Sequence, residues 1–137
     1  MTRAEFQRLT RMRLRDARAL LKAGNNEGAY YFIGLAIECG LKSAIARKTR
    51  RHDFPLEPKI VSQTVYVHDL NTLLTAAGLA TALDTAAKAD PSLKANWALV
   101  KDWKNASKYS LTVASAYGLY RAAAGRNGVL RWLRQHW

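Results

Sequence analysis

The amino-acid sequence predicts an all-α protein, an up-and-down helical bundle of four to five main helices. Three observations point there. Alanine is abundant while β-branched residues are sparse and scattered, which favours helix over sheet. Apolar positions recur at helical spacing in several long windows. Gly, Asn and Asp-Pro signals separate those windows. The 137 residues suit a single domain spanning 1–137, and 49% hydrophobic residues supply a core without help from disulfides or metals.

The first helix is expected from about Arg3 to Lys22. Thr2 and Glu5 have the spacing of a capping box, and Gly24 followed by Asn25 and Asn26 is a stop signal. Phe6, Leu9, Leu14, Ala17, Leu20 and Leu21 form one broad apolar face. The second helix is expected from about Glu27 to Arg47. It is apolar on nearly every side and so reads as the central helix. Its polar arc holds Glu27, Tyr31, Glu38 and Lys42. Ala29, Ala36, Gly40 and Ser43 make a small-residue face that admits a second helix, in the bundle or across a dimer.

A long connection, Lys48 to His68, contains Pro55 and Pro58. Ile60 to Val67 alternates like a strand but has nothing to pair with, so it reads as loop. Asp69 caps a short helix over Leu70 to Ala77, and Gly78 ends it. A further short helix covers about Thr81 to Ala89. Asp90-Pro91 restarts the chain as a cap followed by proline at the first helical position. That helix is expected to reach Tyr109 and to present Leu93, Leu99, Val100 and Trp103 to the core. A last helical stretch starts near Leu111 and is bent or broken at Gly125, Asn127 and Gly128. Val129, Trp132, Leu133 and His136 share one face beyond the break.

The chain carries 22 Lys+Arg against 10 Asp+Glu, a net charge of +12. A balance this basic points to a polyanionic partner. The charge is also organised. Arg8, Arg11, Arg15, Arg18 and Lys22 are spaced three, four, three and four, which places them within an arc of about 80° on the first helix, opposite its apolar face. Like charges at these spacings weaken a helix, so solubility alone is a poor reason for them. An anion-binding ridge for phosphates is the functional reading; a solvated face or a protein-docking surface is the alternative. Lys101, Lys104 and Lys108, with Lys94, suggest a looser second ridge. Trp97 falls in its arc and reads as a core residue covered by lysine stems. Arg47, Lys48, Arg50, Arg51 and His52 form a third cluster, where cations also complement the helix dipole.

Arg13 lies by angle inside the apolar arc of the first helix. A buried guanidinium needs a carboxylate, and Glu38 is the natural one, so an Arg13–Glu38 pair or a network shared with Tyr31 is expected. Cys39 is a lone cysteine in an apolar run and reads as a buried thiol. Three scattered histidines and one cysteine share no ligand spacing, so neither a metal site nor a cofactor is expected. The opening residues hold no apolar signal segment, and the apolar run Ala29 to Leu41 is short and interrupted by Glu38. A cytoplasmic protein outside the membrane is expected.

Four segments in succession, Gly28 to Ile45 (GAYYFIGLAIECGLKSAI), His68 to Leu79 (HDLNTLLTAAGL), Trp97 to Ser110 (WALVKDWKNASKYS) and Gly128 to Trp137 (GVLRWLRQHW), resemble the HEPN domain family. The resemblance covers most of the chain. It implies an all-α bundle, a homodimer, and pairing with a nucleotidyltransferase partner protein in a toxin–antitoxin or similar module. Many such domains are metal-independent RNases that use an Arg followed after four to six residues by a His; others bind RNA or nucleotides without cleavage. In similar sequences an arginine often precedes the tyrosine that here is Tyr109, but Lys108 stands in that place, and no His lies between Tyr109 and Arg131. Arg47 with His52 and Arg131 with His136 fit the spacing, and 13 arginines with three histidines make about one such match by chance. Arg131 and His136 would also point about 140° apart on a helix. The resulting expectation is a protein that binds RNA or nucleotide phosphates through basic helix faces. A metal-independent RNase and a non-catalytic module docking an acidic partner are the alternatives.

Overall fold

A computed structural model describes residues 1–52 and 67–137, with side chains through Thr49 and from Val67 onward. The chain is all-helical, with no strand among the described residues. Helix α1 spans Arg3–Lys22 and α2 Asn26–His52. They are followed by α3 Leu70–Ala76, α4 Ala80–Ala89, α5 Pro91–Val100, a 3₁₀ helix Asn105–Tyr109, α6 Ala116–Ala124 and α7 Val129–Leu133.

α1 begins and ends where its sequence signals lie. The Thr2 hydroxyl accepts from the Glu5 amide at 3.2 Å, and the Glu5 carboxylate accepts from the Thr2 amide at 2.6 Å. At the other end Gly24 takes φ +77°, a left-handed conformation that costs glycine little. The Asn25 and Gly24 amides then donate to Leu20 and Leu21 carbonyls, closing a Schellman motif. The turn is tight, so α1 and α2 pack antiparallel: Gly28 meets Leu20 at one end, and Ser43 donates to the Arg3 carbonyl at the other.

α2 is the core helix. Ala29, Ile33, Ala36, Ile37 and Leu41 are buried along it. Its small residues serve the bundle itself. The Trp103 indole lies so close to Gly34 that an added Cβ would stand 1.9 Å from it, and Leu133 of α7 packs on Gly40. Over Asn26–Thr49 this helix is long and apolar enough to cross a membrane, which the shorter run Ala29 to Leu41 did not suggest. However, 67% of its most apolar window is buried against the rest of the chain, as a central bundle helix requires.

Several boundaries differ from the sequence expectation. α2 continues past Arg47 to His52, because the basic residues there complement the helix C-terminus and nothing stops it. The expected connection from Lys48 is thus helical as far as His52. Most of the strand-like run Ile60 to Val67, with Pro55 and Pro58, lies outside the described residues. α5 ends at Val100 rather than near Tyr109. The residues that follow include Asp102, Asn105, Ser107 and Ser110, which are weak helix formers, and Lys104 is extended before the 3₁₀ turn. Leu99, expected in the core, is exposed, whereas Leu93, Val100 and Trp103 are buried. α6 starts at Ala116, capped by the Ser115 hydroxyl, and not near Leu111.

Candidate nucleic-acid interface

The basic ridge follows directly from the straightness of α1. Arg8, Arg11, Arg15, Arg18 and Lys22 are all exposed. None of the five takes part in an ion pair among the described residues. Of the two acids on α1, Asp16 is engaged by Arg13 at 3.5 Å and Glu5 by the Thr2 amide of the capping box. The opposite face of α1 buries Thr10 and Ala17 against α2. One side of the helix is thus committed to the core and the other is an unneutralised row of cations. Such a row is suited to phosphates, whose charge it can meet without first breaking an internal pair.

The second basic group is weaker. Lys101, Lys104 and Lys108 are exposed, but the end of α5 at Val100 places them on a turn, an extended residue and a 3₁₀ helix rather than on one helical face. Lys104 stands 3.7 Å from Asp69 and Lys101 4.0 Å from Asp102. Lys108 lies over the Tyr109 ring at 5.2 Å. Trp97 is half-buried and packs on the core, as its lysine surroundings suggested.

Arg13 does not pair with Glu38. Its guanidinium lies over the Phe32 ring at 5.5 Å and beside Asp16, and it is only partly buried. A position at the rim of the α1–α2 contact lets the stem pack while the head reaches solvent. Glu38 is 3% exposed and takes other partners. Lys42, one turn on, donates to Oε1 at 2.7 Å, and His68 Nδ1 lies 3.0 Å from the same oxygen. Tyr31, the other expected member, packs instead on Phe32 and Trp103. The Glu38–Lys42–His68 centre ties the start of α3 to the middle of α2. Asp69, next to His68, caps α3 by accepting from the Thr72 hydroxyl and amide, and these bonds hold its carboxyl below the usual carboxylate value. The Lys42 spacing was readable in the sequence; the His68 contact, 30 residues away, was not.

The expected Arg–His pairs are redistributed. Arg131 is exposed and donates to the Arg126 carbonyl at 3.0 Å. It also lines a shallow cavity of about 190 Å³ with Asp90, Asn127, Trp132 and Gln135. His136 turns away from it and packs on Trp132, with ring centroids 4.6 Å apart. Burial, and then the charge of Arg47 at the far end of α2, push the His136 imidazole below its ordinary value. His136 therefore lies within electrostatic reach of Arg47, a combination no linear spacing could suggest. The His52 side chain, with Arg50 and Arg51, lies outside the described residues.

Cys39 is buried, and burial with the neighbouring Glu38 pushes its thiol up to about 11, which makes it a poor nucleophile at neutral pH. No group of three His, Cys, Asp or Glu side chains is placed to hold a metal ion among the described residues. No family model, curated protein or solved structure matches the chain.

Proposed function

We propose that this chain is a HEPN-like domain that binds RNA or nucleotide phosphates through the basic face of α1, acting as a binding module rather than as an enzyme. The single observation that carries the reading is the row Arg8, Arg11, Arg15, Arg18 and Lys22, exposed and without an acidic partner among the described residues. Like charges at three- and four-residue spacing cost a helix a few tenths of a kcal/mol per pair, and a polyanion offsets that cost on binding. Lys101, Lys104 and Lys108 add a weaker contact, since two of them already face aspartates. On this reading the domain works as a homodimer beside a nucleotidyltransferase partner protein.

A second reading, a metal-independent RNase, draws on one observation: the His136 ring, half-buried against Trp132, is favoured neutral by that burial and then by the Arg47 charge, which suits a proton acceptor. RNA incubated with the protein in EDTA separates the two. Salt-sensitive binding with intact RNA supports the binding module. Cleavage that disappears in His136→Ala replaces it with the enzyme, and the absence of any RNA affinity at low salt removes both.

A further inference from the structure

Most large apolar side chains on a protein this size should be covered. Among the described residues five are exposed, and four of them fall between Leu99 and Tyr117: Leu99, Tyr109, Leu111 and Tyr117. Tyr109 is 79% exposed and Tyr117 64%. Exposed cations lie on two of those rings, one from within the stretch and one from the next turn of α6. Lys108 Nζ stands 5.2 Å from the Tyr109 centroid, and the Arg121 guanidinium 5.9 Å from that of Tyr117.

Given the phosphate-binding function proposed above, on which it rests, we infer that Tyr109 and Tyr117 are stacking platforms for unpaired bases, and that the nucleic acid this domain takes is single-stranded. The chemistry of the pairing selects that occupant. A ring that stays in solvent with a cation beside it offers a base a π-face and offers the adjoining phosphate a counter-charge. In a duplex the bases are stacked on one another and only the phosphates remain to be met. A second copy of this chain fits the surface poorly, because a symmetric contact would bring Lys108 and Arg121 of each copy against the same positive field on a chain of net charge +12. The acids on this stretch do not change that balance: Asp102 faces Lys101, and Asp69 faces Lys104 from α3.

Local sequence explains why the tyrosines stand out. Ser110 to Ser115 is irregular, and the hydroxyl cap at Ser115 starts α6 with Ala116, Leu119, Ala122 and Ala123 inward. Tyr117 is left on the outer face of α6, and Tyr109 ends the 3₁₀ helix beside the irregular segment.

The test compares an unstructured uridine-rich RNA oligonucleotide with a duplex of equal length, by fluorescence anisotropy with the whole chain at constant salt. Wild type should bind the single strand more tightly. Tyr109→Ala and Tyr117→Ala should each weaken single-strand binding by about tenfold, leave duplex binding and the salt slope unchanged, and be rescued by Tyr→Phe, which keeps the ring. Both positions are exposed, and an unchanged Tm confirms that the variants fold. Single-strand affinity that does not move, or that falls equally for both ligands, overturns the stacking role. In either case an Arg11→Ala/Arg15→Ala variant that still weakens binding leaves the phosphate-binding function standing. No binding by wild type to either ligand removes that function and the stacking role together.

Discussion

On α1 five cations stand in solvent without an ion pair among the described residues, whereas on α2 a single carboxylate at 3% exposure lies between a lysine and a histidine. The two helices are adjacent and antiparallel, yet their charges do different work. Glu38 is out of water, and its Oε1 meets the groups that replace water: Lys42 at 2.7 Å and His68 at 3.0 Å. The α1 arginines keep their hydration, so an internal partner would gain them little. Charge that the fold has paired inside holds the fold together. Charge that it leaves in solvent is available to something else.

The contrast can be broken first at its buried side. Glu38→Ala leaves the Lys42 ammonium largely buried without its partner, and should cost about 3–5 kcal/mol. Urea denaturation reads this as a shift in midpoint, and a stability close to wild type would show that the centre does not hold α3 on α2. The neighbouring core should respond almost as strongly. Gly34→Ala puts a Cβ into the Trp103 indole, which has no room to retreat, and should cost about 3 kcal/mol by the same measurement.

Intermediate effects come from the half-exposed groups. Asp69→Ala should cost about 1 kcal/mol by removing the cap of α3. The Asp69 carboxyl is depressed in the folded state, so its contribution is present above its unfolded value near 3.8 and is lost as pH falls through the folded one. A Tm measured against pH should therefore flatten at the acid end in Asp69→Asn. His136 has the same sign at a higher pH. Its folded value lies below 6.5, so unfolding takes up a proton and stability declines as pH drops from 6.5 toward that value. His136→Gln should remove that slope, and a profile identical to wild type would mean that the ring is not packed as described.

How much of this was legible depended on range. The α1 boundaries were readable from Thr2, Glu5 and Gly24, because capping is decided within a few residues. The exposed ridge was readable too, since one straight helix fixes its angles. The end of α5 at Val100 is not legible, because Trp97, Val100 and Trp103 keep helical spacing past it, while the weak helix formers that follow leave no periodic mark. Arg13 was placed by angle alone, which locates a Cα but not the end of a long side chain. The partners of Glu38 were half hidden, because Lys42 lies one turn on while His68 is brought to it by tertiary packing.

The smallest effect on stability and the largest on function should come from one variant, with Arg8, Arg11, Arg15 and Arg18 all changed to Ala. Removing like charges from an exposed face should leave the urea midpoint within a few tenths of a kcal/mol of wild type. The decisive measurement is its affinity for single-stranded RNA as a function of salt. If α1 is the phosphate-binding face, the slope of log affinity against log salt should become shallower by about 3, as expected when four phosphate contacts are lost, and binding at low salt should fall steeply. A slope and affinity equal to wild type, in a variant equally stable, would contradict that account and leave the ridge as a solvated surface.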